Sequence, residues 1–378
     1  TTMAGFTLCA RCRREYEAVD DRRFHAEPNA CPDCGPRVRL LSAAGAPLPA
    51  TDAIGAAARY IEAGLVVAVK GLGGYHLACD ATSGPAVARL RARKQRDYKP
   101  FAVMVRDLAA AGRLAVMSAE EARLLSSVER PIVLLARRPG CDLAPDVAPL
   151  TSLVGVMLAY TPLHHLLMEE VRRPLVMTSG NVSDEPIVHR DEEAVRRLGP
   201  LADALLVHDR EIAIRCDDSV ARVVAGRAVV LRRSRGYVPR PVPLPRPVAR
   251  PVLGCGGHLK NAFCVAVGDA AYLGPHVGDL STLETVEAFE QAVEHVCDLL
   301  RVRPEIVAHD LHPGYMSTAY AVARPDAFKV GVQHHHAHVV SAMAEHGLGG
   351  PVIGVAYDGT GYGTDGASWG GEVLLARP

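Results

Sequence analysis

Six prolines fall within fourteen residues at 238–251 (VPRPVPLPRPVARP), and no helix can run through such a stretch. Proline fixes φ and removes the backbone donor, so the segment reads as a stiff extended linker and a boundary between structured regions. At 378 residues the chain can hold two or three domains with sizeable cores. Lys plus Arg and Asp plus Glu both number 42, so no global charge directs it to nucleic acid or to a membrane surface. The longest apolar stretches, such as 65–69 and 153–159, stop well short of a membrane span, and the N-terminus carries no signal-peptide pattern. A soluble, cytoplasmic protein is the expectation.

Residues 1–45 are polar and cannot bury much surface, so this module needs a metal to fold. Cys9-x2-Cys12 and Cys31-x2-Cys34 supply it: two tight turns, each presenting two thiolates, complete a tetrahedral four-ligand zinc site. His25 is a spare ligand candidate that fits a surface histidine better. With seven Arg against six Asp or Glu in residues 1–40, the module lacks the basic stripe of a nucleic-acid finger, and the zinc reads as structural. Cys79, Cys264 and Cys297 sit among apolar neighbours and read as small buried hydrophobes.

Residues 51–237 alternate helical and strand patterns, which predicts an α/β domain with a largely parallel twisted sheet. Expected buried strands include 65–69, 131–135, 153–158, 174–177 and 204–207, and Thr161-Pro162 opens a helix as N-cap and first turn. Three polar or basic segments adjoin strands: 89–99 (RLRARKQRDYK), Thr178-Ser179-Gly180-Asn181, and Arg232-Arg233-Ser234-Arg235. A solvated helix face would explain the first alone. Together the three suit a polyphosphate ligand.

Beyond the linker, residues 252–378 open with a strand meander (252–257, 261–267, 271–274) and then a helix with capping-box spacing at Ser281 to Glu284. Strands follow at 305–309 and 352–357. In QHHHAH at 333–338, His334 and His338 lie one helical turn apart and can share one metal, with Asp358 opening a Gly-rich turn downstream.

Lys94-x-Arg96 with the later Ser179-x-Asn181, and KGLGGYHLACDAT at 70–82, resemble the nucleotide-binding YrdC/Sua family, especially its HypF branch. GGHLKNAF at 256–263, AHDLHPGYMST at 308–318, VQHHHAH and YDGTGYGTDGASWGGE resemble the HypF transferase domain, a TsaD-like relative of the actin/Hsp70-type α/β fold. The chain is thus similar, in order and along most of its length, to the HypF family of carbamoyltransferases that mature nickel–iron hydrogenases. The resemblance implies that carbamate, derived from carbamoyl phosphate, reacts with magnesium-bound ATP to give carbamoyl-adenylate and pyrophosphate. It implies catalytic roles for Lys70, Lys94 and Arg96. Ser179, Asn181, Arg215, Arg232, Lys260, Asn261 and Asp310 are implied to bind nucleotide or the carbamoyl group. His334, His338 and Asp358 are implied to hold a second metal, iron or zinc, and the acceptor is implied to be the C-terminal cysteine of a HypE-type protein. Three departures stand against the family order: no acylphosphatase domain, one finger instead of two, and little sequence beyond Asp358. Adenylation is therefore the step expected to be complete, with the metal site open on one side and strand 352–357 lacking cover. A threonylcarbamoyl-adenylate synthase would share the middle domain but has no use for the finger or the histidines. A non-catalytic zinc-binding interaction protein would explain only the first 45 residues.

Overall fold

The computed structural model describes residues 2–182 and 185–377, which form two compact units. The first takes in residues up to 182 together with 187–215 and 220–229, and the second the remainder.

The first unit is built on a mixed sheet. In spatial order its strands are Val38–Ser42, Ala204–His208, Val67–Lys70, Tyr75–Asp80, Leu175–Ser179, Ala102–Val105, Leu153–Leu158, Ile132–Arg137 and Val220–Val224. Only the pairs Val67–Lys70 with Ala204–His208, Ala102–Val105 with Leu153–Leu158, and Ile132–Arg137 with Val220–Val224 run parallel. The remaining ladders, including both flanking Tyr75–Asp80, are antiparallel. The expectation of a largely parallel sheet is thus corrected. Continuous apolar runs report burial on both faces, and a central strand of either direction gives the same run. Val67–Lys70 and Tyr75–Asp80 are joined by the short loop 71–74, too short for the crossover that parallel neighbours require.

Helices cover both faces. Ala53–Glu62 and Pro162–Val171 pack over one apolar layer containing Ile61, Val67, Val69, Met104, Met157 and Leu167. Gly84–Lys94, with Ser83 as N-cap, lies over the other, which contains Leu77, Leu90, Phe101, Val103 and Val156. Thr161 caps Pro162–Val171 as the sequence indicates, its hydroxyl accepting from the His164 N–H at 3.1 Å. Burial pushes the Cys79 thiol up to about 12, in keeping with a packing role.

The second unit contains a four-stranded sheet in the order Cys264–Leu273, Pro241–Gly254, Ile306–Asp310, Phe328–Val332. The proline-rich stretch expected to be a linker is therefore mostly strand. Prolines 241 and 243 stand two apart, so with period-two geometry both remove donors from the same edge, and Pro245 and Pro247 fall where the register with Cys264–Leu273 breaks, between Pro243 and Val248. Over these residues the strand has one neighbour, Cys264–Leu273; it gains a second only at Val252–Gly254, beyond the prolines. The three-strand meander likewise resolves into two long strands. The helix Leu283–Leu300 is capped by Thr282 and Thr285, one position later than the spacing suggested. Phe289, Val293 and Val296 from this helix pack on Leu253, Phe263, Val265 and Val307 of the sheet and its flanks.

The chain then forms helix His334–Glu345 and an antiparallel pair, Val352–Ala356 with Glu372–Ala376. One face of that pair packs on Val339 and Met343. The other leaves Ile353, Val355, Val373 and Leu375 exposed, at 52–77% of their surface, with Tyr357 exposed just beyond. No helix among the described residues is long and apolar enough to cross a membrane.

Candidate functional site

Cys9, Cys12, Cys31 and Cys34 bring their four sulfurs within 4.8 Å of one another. Cys9 caps the short helix Ala10–Glu17, and the turn at 31–35 closes with the Gly35 N–H on the Cys31 carbonyl at 2.7 Å. A side chain at Gly35 would meet Ala30 Cβ at 2.8 Å, so the turn needs glycine there. The Asn29 amide donates to the Cys12 carbonyl at 2.9 Å and ties the two halves together. Backbone hydrogen bonds pull the Cys34 thiol down to about 6, whereas desolvation and the neighbouring sulfurs push Cys12 up to about 12. Four converging sulfurs are a soft-metal donor set. His25 is exposed and stacks on Tyr16, away from the cluster.

In the first unit, three neighbouring strands place the predicted nucleotide residues at one end of the sheet. Lys70 ends its strand opposite Tyr75, and Ser179 ends its strand opposite His76. Gly180 follows, its N–H on the Tyr75 carbonyl at 2.6 Å; a Cβ at Gly180 would lie 2.7 Å from that oxygen, so the loop can close only on glycine. Lys94, the last residue of helix Gly84–Lys94, is 1% exposed and donates to Ser179 O (2.6 Å), Asn181 O (2.7 Å) and Asn181 Oδ1 (2.6 Å). The Ser179 hydroxyl joins the same Asn181 oxygen at 2.9 Å. Three donors on an ammonium meet three chain oxygens, so Lys94 holds the 179–181 loop. Arg96 donates to the Lys99 and Pro100 carbonyls and lies over the Phe101 ring, 5.2 Å from its centroid. Of the basic run, Arg93 is paired with Asp203 at 2.8 Å, and Arg91 is bonded to the carbonyls of Arg96, Asp97 and Asp146. Much of the charge in 89–99 thus organises its own loop.

Lys70 is 3% exposed and contacts Asp191 Oδ1 at 2.5 Å and the His208 carbonyl at 2.8 Å. Asp191 also accepts from the Tyr75 hydroxyl at 2.7 Å. Asp191 was missed in the sequence because it opens a helix 121 positions away and no local pattern links it to Lys70. Burial first, then the charges of Arg215, Arg190 and Lys70, push His189 down to about 4. Arg232 falls among the residues of the second unit. Asp218, three positions after Arg215 in the chain, is engaged by Arg235 at 2.8 Å.

In the second unit His334 Nε2, His338 Nε2 and Asp358 Oδ2 converge. His334 lies 3.0 Å and His338 3.4 Å from the carboxylate oxygen, and the two nitrogens are 3.2 Å apart. Gln333 caps the helix by accepting from the His336 N–H, which starts the helix so that positions 334 and 338 share a face. A Cβ at Gly361 would lie 2.5 Å from His335 and 3.0 Å from His334 Cβ, so the turn after Asp358 needs glycine to approach the helix. Two imidazoles and a carboxylate fit a borderline divalent metal, and this set and the four cysteines are the two such groups among the described residues.

Asp310, expected beside nucleotide or carbamoyl group, accepts from His334 at Nδ1, 2.5 Å away. Burial opposes its ionisation, but the bonds from His334 and the His312 N–H hold it below the usual carboxylate range. The same bond raises the His334 imidazole above its ordinary value. Asn261 is buried and donates to the Cys255 and Gly257 carbonyls at 2.9 and 2.6 Å, which makes it a clamp of its own loop. Lys260 is exposed at a left-handed turn position (φ 48°), its N–H on Asp279.

Comparison with known proteins is consistent along the chain. The "HypF finger" family matches residues 8–41, the Sua5/YciO/YrdC family ("Telomere recombination") 59–234, the "HypF Kae1-like domain" 247–345, and the "Carbamoyltransferase, Kae1-like Domain, second subdomain" 354–378. Carbamoyltransferase HypF of Rhodobacter capsulatus is 49% identical over 99% of this chain and 51% of its own length. Probable carbamoyltransferase HypF of Methanocaldococcus jannaschii is 37% identical over 100% of this chain and 56% of its own. Among solved structures, full-length HypF in a phosphate- and nucleotide-bound form superposes with a TM-score of 0.95 at 48% identity, covering all of this chain and 49% of that one. T. kodakarensis HypF superposes with a TM-score of 0.93 at 42% identity, covering 100% and 50%. Human threonylcarbamoyl-AMP synthase shares 32% identity over only 36% of this chain. The chain spans about half the length of the curated relatives it matches. With finger, YrdC-like and Kae1-like segments following one another in a single chain, the protein belongs to the HypF family.

Proposed function

We propose that this chain performs the adenylation chemistry of a HypF carbamoyltransferase. Carbamate and magnesium-bound ATP form carbamoyl-adenylate and pyrophosphate in the first unit, and the carbamoyl group is destined for the C-terminal cysteine of a HypE-type protein in nickel–iron hydrogenase maturation. Neither nucleic acid nor membrane enters this scheme. The observation that carries the reading is the sheet end where Lys70, Tyr75, Ser179 and Gly180 meet, with Lys94 locking the 179–181 loop. Lys70 keeps one ammonium hydrogen beyond those given to Asp191 and the His208 carbonyl, and Arg215 bears electrostatically on His189, as Lys70 does. A carboxylate and a triphosphate brought together there need that offset, and a buried floor protects carbamate from water. Within the first unit Lys94 acts by holding the 179–181 loop, Arg96 by adding potential, and Ser179 and Asn181 by lining the loop; in the second unit Arg232, Lys260, Asn261 and Asp310 are the residues proposed to serve nucleotide or the carbamoyl group. The four cysteines take zinc as a structural ion. His334, His338 and Asp358 hold the second metal, iron or zinc, which would orient the adenylate.

The presence of the finger and the histidine–aspartate cluster favours this reading over a threonylcarbamoyl-adenylate synthase. Exchange of labelled pyrophosphate into ATP tests it. The proposal expects exchange that depends on carbamate and is indifferent to threonine; exchange that requires threonine refutes it.

A further inference from the structure

We infer that Asp310 is a positioning residue that fixes the tautomer of His334, so that His334 meets a metal ion through Nε2 alone. The inference rests on the reading of His334, His338 and Asp358 as a metal site.

A neutral imidazole has one N–H and one lone pair, and the partner of one nitrogen decides which role the other takes. Asp310 Oδ2 lies 2.5 Å from His334 Nδ1. The carboxylate cannot turn away. Its Oδ1 accepts from the His312 N–H at 2.9 Å, and its main-chain oxygen accepts from the Thr318 hydroxyl at 3.1 Å. Asp310 is 8% exposed and ends the strand Ile306–Asp310, flanked by Phe328–Val332 in parallel register along its whole length. An ionised carboxylate only accepts, so the proton of His334 is held at Nδ1. The lone pair then sits on Nε2, the atom that faces Asp358 Oδ2 and His338 Nε2.

Asp310 is not itself a ligand. It is absent from the three groups whose donor atoms lie within 4.8 Å of one another, and it meets the ring on the opposite nitrogen. The pattern is the outer carboxylate behind a metal-bound histidine, which orients the ring and makes it a better donor. His338 contrasts with it: its side chain is 56% exposed, and its ring contacts are to His334 and Asp358 within the cluster. His334 is thus the preset ligand and His338 the one recruited.

The test uses the full chain with zinc in its finger and Mn2+ as the probe, since a hard ion leaves the thiolates alone. Free Mn2+ is counted by electron paramagnetic resonance. His334→Ala tests the metal reading and should abolish binding. Asp310→Ala should weaken binding about 10- to 100-fold, and Asp310→Asn, whose amide oxygen can still accept from Nδ1, should recover part of that loss. If His334→Ala abolishes binding while Asp310→Ala leaves it unchanged, the inference fails and the metal site stands. If His334→Ala binds as the parent does, both fail. Should Asp310→Ala not fold, the unaltered chain decides: nitrogen-15 spectra with a second equivalent of Zn2+ should show the His334 proton on Nδ1, and a proton on Nε2 overturns the inference.

Discussion

Replacing Lys94 by Met keeps the length of the side chain and removes its charge. The parent ammonium is 1% exposed and donates to three oxygens of Ser179 and Asn181 at 2.6–2.7 Å. Each hydrogen bond to a charged group contributes about 1.5–3 kcal/mol, and a buried acceptor left without a partner costs about 1–3 kcal/mol. Relief of the ammonium's own desolvation offsets part of the sum, so we expect a loss of about 3 kcal/mol in the first unit. The effect should be concentrated in the 175–182 segment, since the contact closes that loop onto the helix end. Trp369 is the sole tryptophan and lies in the second unit, so its fluorescence will not report the change. Hydrogen exchange read by mass spectrometry will. Lys94→Met should speed exchange in peptides covering 175–182 by about 100-fold or more, as 3 kcal/mol requires, and should abolish pyrophosphate exchange. Unaltered protection in that segment would show that the loop is held by its backbone bonds to Tyr75 alone, and the assignment of Lys94 would be wrong.

Further expectations follow from the same geometry. Cys31→Ser should release about one zinc per chain and unfold the 8–41 module, read by metal analysis and exchange, while adenylation is largely kept. Arg96→Ala should lower ATP affinity by roughly tenfold in calorimetry, as loss of a charge that shapes the phosphate loop requires; unchanged affinity would reduce Arg96 to a loop brace. His189 is held neutral in the fold, its pKa pushed down to about 4 from 6.5, so below pH 6.5 the unfolded chain takes up a proton that the folded chain refuses. Stability of the first unit should therefore decline as pH falls from about 6.5 to about 4 and level off below. His189→Asn should flatten that slope in denaturant titrations followed by circular dichroism.

The parts of the molecule legible in the sequence are those whose partners are close in the chain. The cysteine pairs and the His334–His338 pair are set by local turn and helix geometry, and the strands were visible as apolar runs. What failed was information carried between elements. Strand direction in the main sheet is not legible, because buried strands of either direction look alike. The composition of the proline stretch reads as a linker, whereas pairing with Cys264–Leu273, broken in register across Pro245 and Pro247, is a partnership that only the fold shows. The contact of Asp310 with His334 has no signature in the sequence, because only the fold brings the end of one strand behind a ring 24 residues later. Asp191, which orders Lys70 and Tyr75 together, had no local signature at all.

The central claim is the identity of the adenylate formed at the Lys70–Ser179 sheet end. Incubating the chain with ATP, magnesium and carbon-13-labelled carbamate, then quenching and weighing the small-molecule products, addresses it directly. The account predicts an adenylate heavier than AMP by one labelled carbamoyl group, formed without threonine and lost in the Lys70→Ala variant. An adenylate that appears only with threonine, or AMP formation that is indifferent to carbamate, would contradict it.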